Sequence, residues 1–178
     1  IHIPTLVGDT DLSLCDPINI ERLEKTIRCN RPDLIIFDPY GDFFAGENEN
    51  DAMQTRKTVK TLMRVSKAYS PETAVLVVHH ARSGKEAAAG GYGWDRGAYA
   101  RGSKALISIA RSQINIVPGD KDGESLLVAC GKNNNGPKFD KFAVRLDQTT
   151  MRYQLIPNFD FEQWEDETSN RGRASRVK

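Results

Sequence analysis

The chain has 178 residues, 39% of them hydrophobic, and a formal net charge of +1. That length fits one domain with a real core, and the near-neutral charge excludes recognition of nucleic acid by bulk electrostatics, leaving a local basic patch or loop. No segment approaches the roughly 20 apolar residues of a membrane span, and no charged-then-apolar signal segment follows Ile1.

Asp16-Pro17 reads as a helix cap with proline at the first helical position, and Ile20, Leu23 and Ile27 recur at helical spacing until Asn30-Arg31-Pro32. A strand is predicted at Leu34–Phe37. Asp51 opens a second helix, with Val59, Leu62, Met63 and Tyr69 on one face and Ser70-Pro71 as its end. The strand Ala74–Val78 follows. Between Ala81 and Gly102 the chain is rich in glycine and alanine without amphipathic period, which predicts a long mobile loop. A helix from about Ser103 to Ala110 leads into a strand at Gln113–Val117. The last third reads as a meander: Ser125–Cys130, then Phe142–Leu146 paired with Arg152–Ile156 across Asp147-Gln-Thr-Thr. From Asn158 to Lys178 an acidic segment passes into a basic one without period, which predicts a disordered charged tail. Cys15, Cys29 and Cys130 are odd in number without metal-ligand spacing and read as reduced thiols of a cytoplasmic protein.

Two apolar runs end in chemistry-bearing groups. Asp33-Leu-Ile-Ile-Phe-Asp38 delivers a carboxylate to the carboxyl edge of an α/β sheet, where it can hold the water shell of Mg²⁺ beside phosphates or simply cap the Asp-Pro turn. Ala74-Val-Leu-Val-Val ends in His79-His80, and an imidazole there can hydrogen-bond a terminal phosphate or serve the fold alone. Alternating side chains aim the two rings apart, so one of them faces a ligand. A metal site built on Asp38, Asp42, His79 and His80 is the rival chemistry, with His2 the one further histidine. Arg101 and Arg111 bracket a short apolar helix, a position from which an arginine can reach the charge on a transferring phosphoryl group or merely end the helix in solvent. Lys132 stands in the turn Gly131-Lys-Asn-Asn-Asn-Gly-Pro137 after a buried strand, placed to meet a phosphate. In the long loop, Tyr92, Trp94 and Tyr99 could stack on bases of single-stranded nucleic acid, with Arg82, Lys85 and Arg96 on the backbone.

In order, DLIIFDPYGDFF, AVLVVHHARSGK, RGSKALISIAR and GKNNNGPKFDKFAVRLD resemble the RecA-like P-loop ATPase core of hexameric helicases, nearest to the RepA-type plasmid replicative helicases among RecA-like AAA ATPases. The resemblance spans residues 1–157 and implies an α/β fold: a central, mostly parallel sheet flanked by helices, with a carboxyl-terminal antiparallel meander. It implies Walker B Asp38 organising Mg²⁺, His80 ahead of His79 as phosphate sensor, Arg111 as a finger acting in trans with Arg101 secondary, and Lys132 as an accessory cation. In the related DnaB-type helicases an arginine stands where this chain has Asn134, which favours Arg111 as the finger. It further implies ATP and Mg²⁺ as cofactors, a ring homo-oligomer (a hexamer), single-stranded DNA as partner, and a cytoplasmic setting of bacterial, plasmid or phage origin. No Gly-x-x-x-x-Gly-Lys-Ser/Thr occurs, and Ser83-Gly-Lys85 lacks the strand and glycine spacing of one. In the family the P-loop and catalytic glutamate precede the segment that Ile1–Gly8 resembles. The expectation is therefore a carboxyl-terminal part of an ATP-hydrolysing DNA motor, inactive on its own. The alternative is a non-hydrolysing RecA-like DNA-binding or assembly module.

Overall fold

The computed structural model describes residues 13–48, 50–80, 93–99 and 104–174, the side chains of 98 and 169–174 excepted. These residues fall into two compact units, one of residues up to 80 with 104–109, the other of 93–99 and 110–174.

In the first unit, helix α1 (Pro17–Asn30) starts where the Asp16 carboxylate accepts from the Ile18 amide at 2.8 Å. It stops at Arg31, which takes the left-handed conformation (φ 48°) before Pro32. Strand β1 (Leu34–Phe37) follows, then a cis Asp38–Pro39 peptide and a single 3-10 turn, Tyr40–Phe43. Helix α2 (Ala52–Ser66) is capped by Asp51, whose carboxylate accepts from the amides of Met53 (2.7 Å) and Gln54 (2.9 Å). Strand β2 (Ala74–Val77) pairs with β1 in parallel, Leu34 opposite Ala74 and Phe37 opposite Val77. Helix α3 (Lys104–Ile109) completes the unit.

Its core joins Leu14, Phe37, Tyr40, Phe44, Val59 and Leu62, with Ile35, Val75, Val77, Leu106 and Ile109 packed against it. Each fully buried side chain of this kind stabilises by about 1.5–3 kcal/mol. The strands bury one face only. Leu34, Ile36 and Leu76 keep about half their surface exposed among the described residues. The second helix also ends earlier than expected. It stops at Ser66, so Tyr69 lies beyond it and is exposed, near the Arg31 guanidinium, and Met63 sits at the exposed margin.

The second unit is an antiparallel sheet of order β3–β4–β5–β6: Ser112–Pro118, Ser125–Asn133, Phe142–Asp147 and Arg152–Ile156. The expected meander is there, and the strand after α3 pairs with it as an edge. Pro118, which cannot donate to a ladder, ends that edge strand. One face holds Val117, Leu127, Ala129 and Ala143 against Trp94, with Tyr99, Ile156, Phe159, Phe161 and Trp164 alongside.

Two expectations change here. Within the segment from Asn158 to Lys178, predicted to be disordered, residues 161–174 form helix α4 (Phe161–Ala174), because Phe159, Phe161 and Trp164 bury apolar surface on the sheet, and 175–178 lie outside the described residues. The glycine-rich segment predicted as a mobile loop contributes a core residue, Trp94, and a 3-10 turn at Gly97–Tyr99, while 81–92 and 100–103 lie outside the described residues. The molecule is thus mixed α/β, with one parallel and one antiparallel sheet. Among the described residues no helix is long and apolar enough to cross a membrane. Cys15 and Cys29 carry exposed free thiols and Cys130 a buried one.

Candidate functional site

The carboxyl end of the β1–β2 pair is tied by main-chain bonds: the Val78 amide donates to the Phe37 carbonyl and the Tyr40 amide to the Val78 carbonyl, both at 2.8 Å. Phe37 points into the core, and the next residue, Asp38, is exposed. The same alternation divides the histidines. His79, in step with Val75 and Val77, sets its ring edge-on to buried Tyr40 at 5.3 Å between centroids. His80, in step with exposed Leu76 and Val78, is exposed. Asp38 and His80 therefore stand open at one sheet end, and His79 belongs to the core wall.

The loop beyond Asp38 is held by α2. The Ala45 amide donates to the buried Thr58 hydroxyl (3.0 Å), and the amides of Glu47 and Asn48 donate to the Gln54 side-chain oxygen (2.9 and 3.2 Å). A side chain at Gly46 would collide with that same Gln54 oxygen and with the Phe44 ring. Asp42, on the 3-10 turn, is exposed. Among the described residues no three His, Cys, Asp or Glu side chains converge as a metal would require, and His79 is turned to Tyr40, so the rival metal site finds no cluster there.

The other basic candidates lie in the second unit. The Asn134 amide donates to the Arg111 carbonyl at 2.9 Å, and Lys132 lies opposite Gln113 in the ladder. Arg111 and Lys132 are therefore two ladder positions apart on one sheet end, about 7–8 Å on the diagonal, within reach of long side chains. A bulge between Gln113 and Ile114 takes up Gly131, where an added Cβ would lie 2.9 Å from the Asn115 side-chain nitrogen Nδ2. Asn133 shapes the turn by accepting from the Asn135 amide (3.1 Å) and donating to the Pro137 carbonyl (2.9 Å). Arg111 is exposed and Lys132 half-buried.

Trp94 corrects the base-stacking expectation. Its side chain has 0% exposure, its indole nitrogen donates to Glu165 at 3.2 Å, and its ring meets Phe161 and Trp164. Buried Asn115 fixes the segment by donating to the carbonyls of Trp94 (2.7 Å) and Arg96 (2.8 Å). An aromatic in a glycine-rich stretch looks available until a sheet face is found to cover it. Tyr99 is half-buried against the same core, and that burial pushes its phenol pKa up. Arg96 remains exposed. Arg82, Lys85, Tyr92, Arg101 and His2 lie outside the described residues.

Residues 5–86 match the family model of an AAA domain. The match takes in Asp38, His79 and His80, and it supports an AAA or P-loop-ATPase-like family and an ATPase-type function for that part of the chain. No curated protein matches the chain.

Sequence reasoning passed over a further set of residues. The exposed side of α2 carries Arg56, Lys57, Lys60 and Arg64, and no acidic residue occurs within the helix. The signal was legible as helical spacing of cations, but attention to strand ends hid it.

Proposed function

We propose that the chain is part of an oligomeric RecA-like ATPase, a ring-shaped DNA helicase or a related replication or recombination motor acting on single-stranded DNA. The observation that carries this reading is the AAA-domain match over a segment in which Asp38 stands exposed at the end of a parallel strand. A carboxylate is the hard oxygen donor that Mg²⁺ prefers, directly or through water, so Asp38 fits the metal side of a nucleotide site. Bound Mg-ATP supplies the phosphoryl group and the leaving group of the reaction.

Within that reading Asp38 would hold Mg²⁺, directly or through water, and the exposed His80 imidazole would hydrogen-bond the terminal phosphate, while His79 is turned to Tyr40. Arg111, with Lys132 beside it, adds positive charge to the nucleotide of a neighbouring subunit. Asp38 and Arg111 belong to different compact units, and a finger working in trans does not need to meet Asp38 of its own chain.

The test is Mg-ATP hydrolysis by the full-length protein, with and without single-stranded DNA. DNA-stimulated turnover is expected, and Arg111→Ala should lower it by about 10³-fold or more with the circular-dichroism spectrum unchanged. Turnover retained in that variant removes Arg111 from the mechanism. No turnover by assembled wild-type protein replaces the motor with a non-hydrolysing DNA-binding or assembly module.

A further inference from the structure

Helix α2 presents two opposed faces. At about 100° per residue, buried Thr55, Thr58, Val59, Leu62, Val65 and Ser66 fall on one side, and Met53, Arg56, Lys57, Lys60, Arg64 and Lys67 fall within an arc of about 100° centred opposite. Arg64 is engaged by Glu24 at 2.8 Å, and the Lys67 ammonium donates to the Pro71 carbonyl. Arg56, Lys57 and Lys60 are exposed, and none meets a carboxylate among the described residues. An open groove of about 800 Å³ runs along these side chains, with Asp51, the helix-capping residue, also in its lining.

From Arg56 to Lys60 the helix rises about 6 Å, so its three exposed cations without a carboxylate partner are spaced on average about 3 Å along the axis. One strand of a nucleic-acid duplex carries a phosphate about every 3.4 Å, a comparable density of the opposite sign. A protein partner fits less well. Protein interface cores are enriched in aromatics, Met and Arg and depleted of lysine; this face offers Met53, Arg56 and Arg64 but no aromatic, and sets Lys57 and Lys60 among them. Exposed cations without a carboxylate partner among the described residues, Arg56, Lys57 and Lys60, suit sequence-independent contact with a phosphodiester backbone.

We infer that the exposed basic face of α2, through Arg56, Lys57 and Lys60, is a docking surface for the phosphate backbone of nucleic acid. The inference rests on the nucleic-acid partner of the motor reading, and it is independent of ATP hydrolysis and of the long loop.

The experiment is binding of a fluorescein-labelled single-stranded oligodeoxythymidylate to the full-length protein, by anisotropy across a salt series without nucleotide. The triple change Arg56→Gln, Lys57→Gln, Lys60→Gln should weaken binding at least about tenfold and flatten the log–log salt slope by about 2, the value for three lost phosphate contacts on a single strand. A matched loss of three charges on α1, Arg22→Gln, Lys25→Gln, Arg28→Gln, should leave the slope unchanged. Equal losses in the two triple variants, an unaltered slope in the α2 variant, or no binding by the wild type would overturn the assignment. So would sedimentation showing that the α2 changes abolish self-association and leave oligonucleotide binding intact, which would give the face to an acidic surface of a second copy. Because nucleotide is absent, a protein that hydrolyses no ATP can still pass, and one that hydrolyses ATP can still fail.

Discussion

The β1–β2 pair leaves Asp38 and His80 exposed at its carboxyl end, whereas the antiparallel sheet draws Trp94 from a glycine-rich segment into a core with Phe161 and Trp164. Both units carry residues that look chemical when read along the chain. In the first, strand alternation separates His80, open to solvent, from His79, packed on Tyr40. In the second, the covering face of a sheet decides, and an aromatic that could have stacked on a base fills the fold instead. Residue type proposes a role, and its side of the strand or sheet assigns it.

The largest effect that could break this contrast is on Trp94. Trp94→Ala should cost the second unit about 3–5 kcal/mol, read from urea unfolding followed by the fluorescence of Trp164, the other tryptophan of the chain. A cost below about 1 kcal/mol together with weakened DNA binding would return Trp94 to the surface role first expected of it. In the first unit the comparable test is smaller. Asp51→Ala removes the acceptor for the Met53 and Gln54 amides and should cost about 1 kcal/mol, seen as a lower denaturation midpoint with unchanged slope.

The smallest effect sharpens the second unit alone. Asp147 accepts from the amides of Thr150 (3.2 Å) and Thr149 (2.9 Å), which lowers its pKa, and Asp120 is lowered chiefly by the Ser125 hydroxyl. A depressed folded-state pKa contributes stability that is present above the unfolded carboxylate value, about 3.9, and is lost as pH falls through the folded value. Unfolding midpoints should therefore drop below about pH 4, and Asp147→Asn should make that drop shallower. An unchanged pH profile in Asp147→Asn would leave its turn bonds without a share in acid stability.

Much of the architecture was legible. Asp16 and Asp51 cap the helices they were expected to cap, the apolar runs Leu34–Phe37 and Ala74–Val77 are strands, and Arg152–Ile156 pairs with Phe142–Asp147. These features depend on residues within one turn or one run, where local propensity and periodicity act directly. The helix from Phe161 was missed because its amphipathic signal is a short aromatic cluster, Phe159, Phe161 and Trp164, in a strongly charged stretch. Its burial needs the sheet.

By itself the sequence determined the caps, the strand cores and the strand-end placement of Asp38 and the histidine pair, since each follows from side-chain chemistry a few residues apart. Tertiary structure alone decided that His79 faces Tyr40, that Trp94 is core, and that Arg111 and Lys132 share a sheet end. The physical reason is that burial is a property of the surface an element meets. Which surface covers a side chain depends on residues tens of positions away, as Asn115 shows by holding the carbonyls of Trp94 and Arg96.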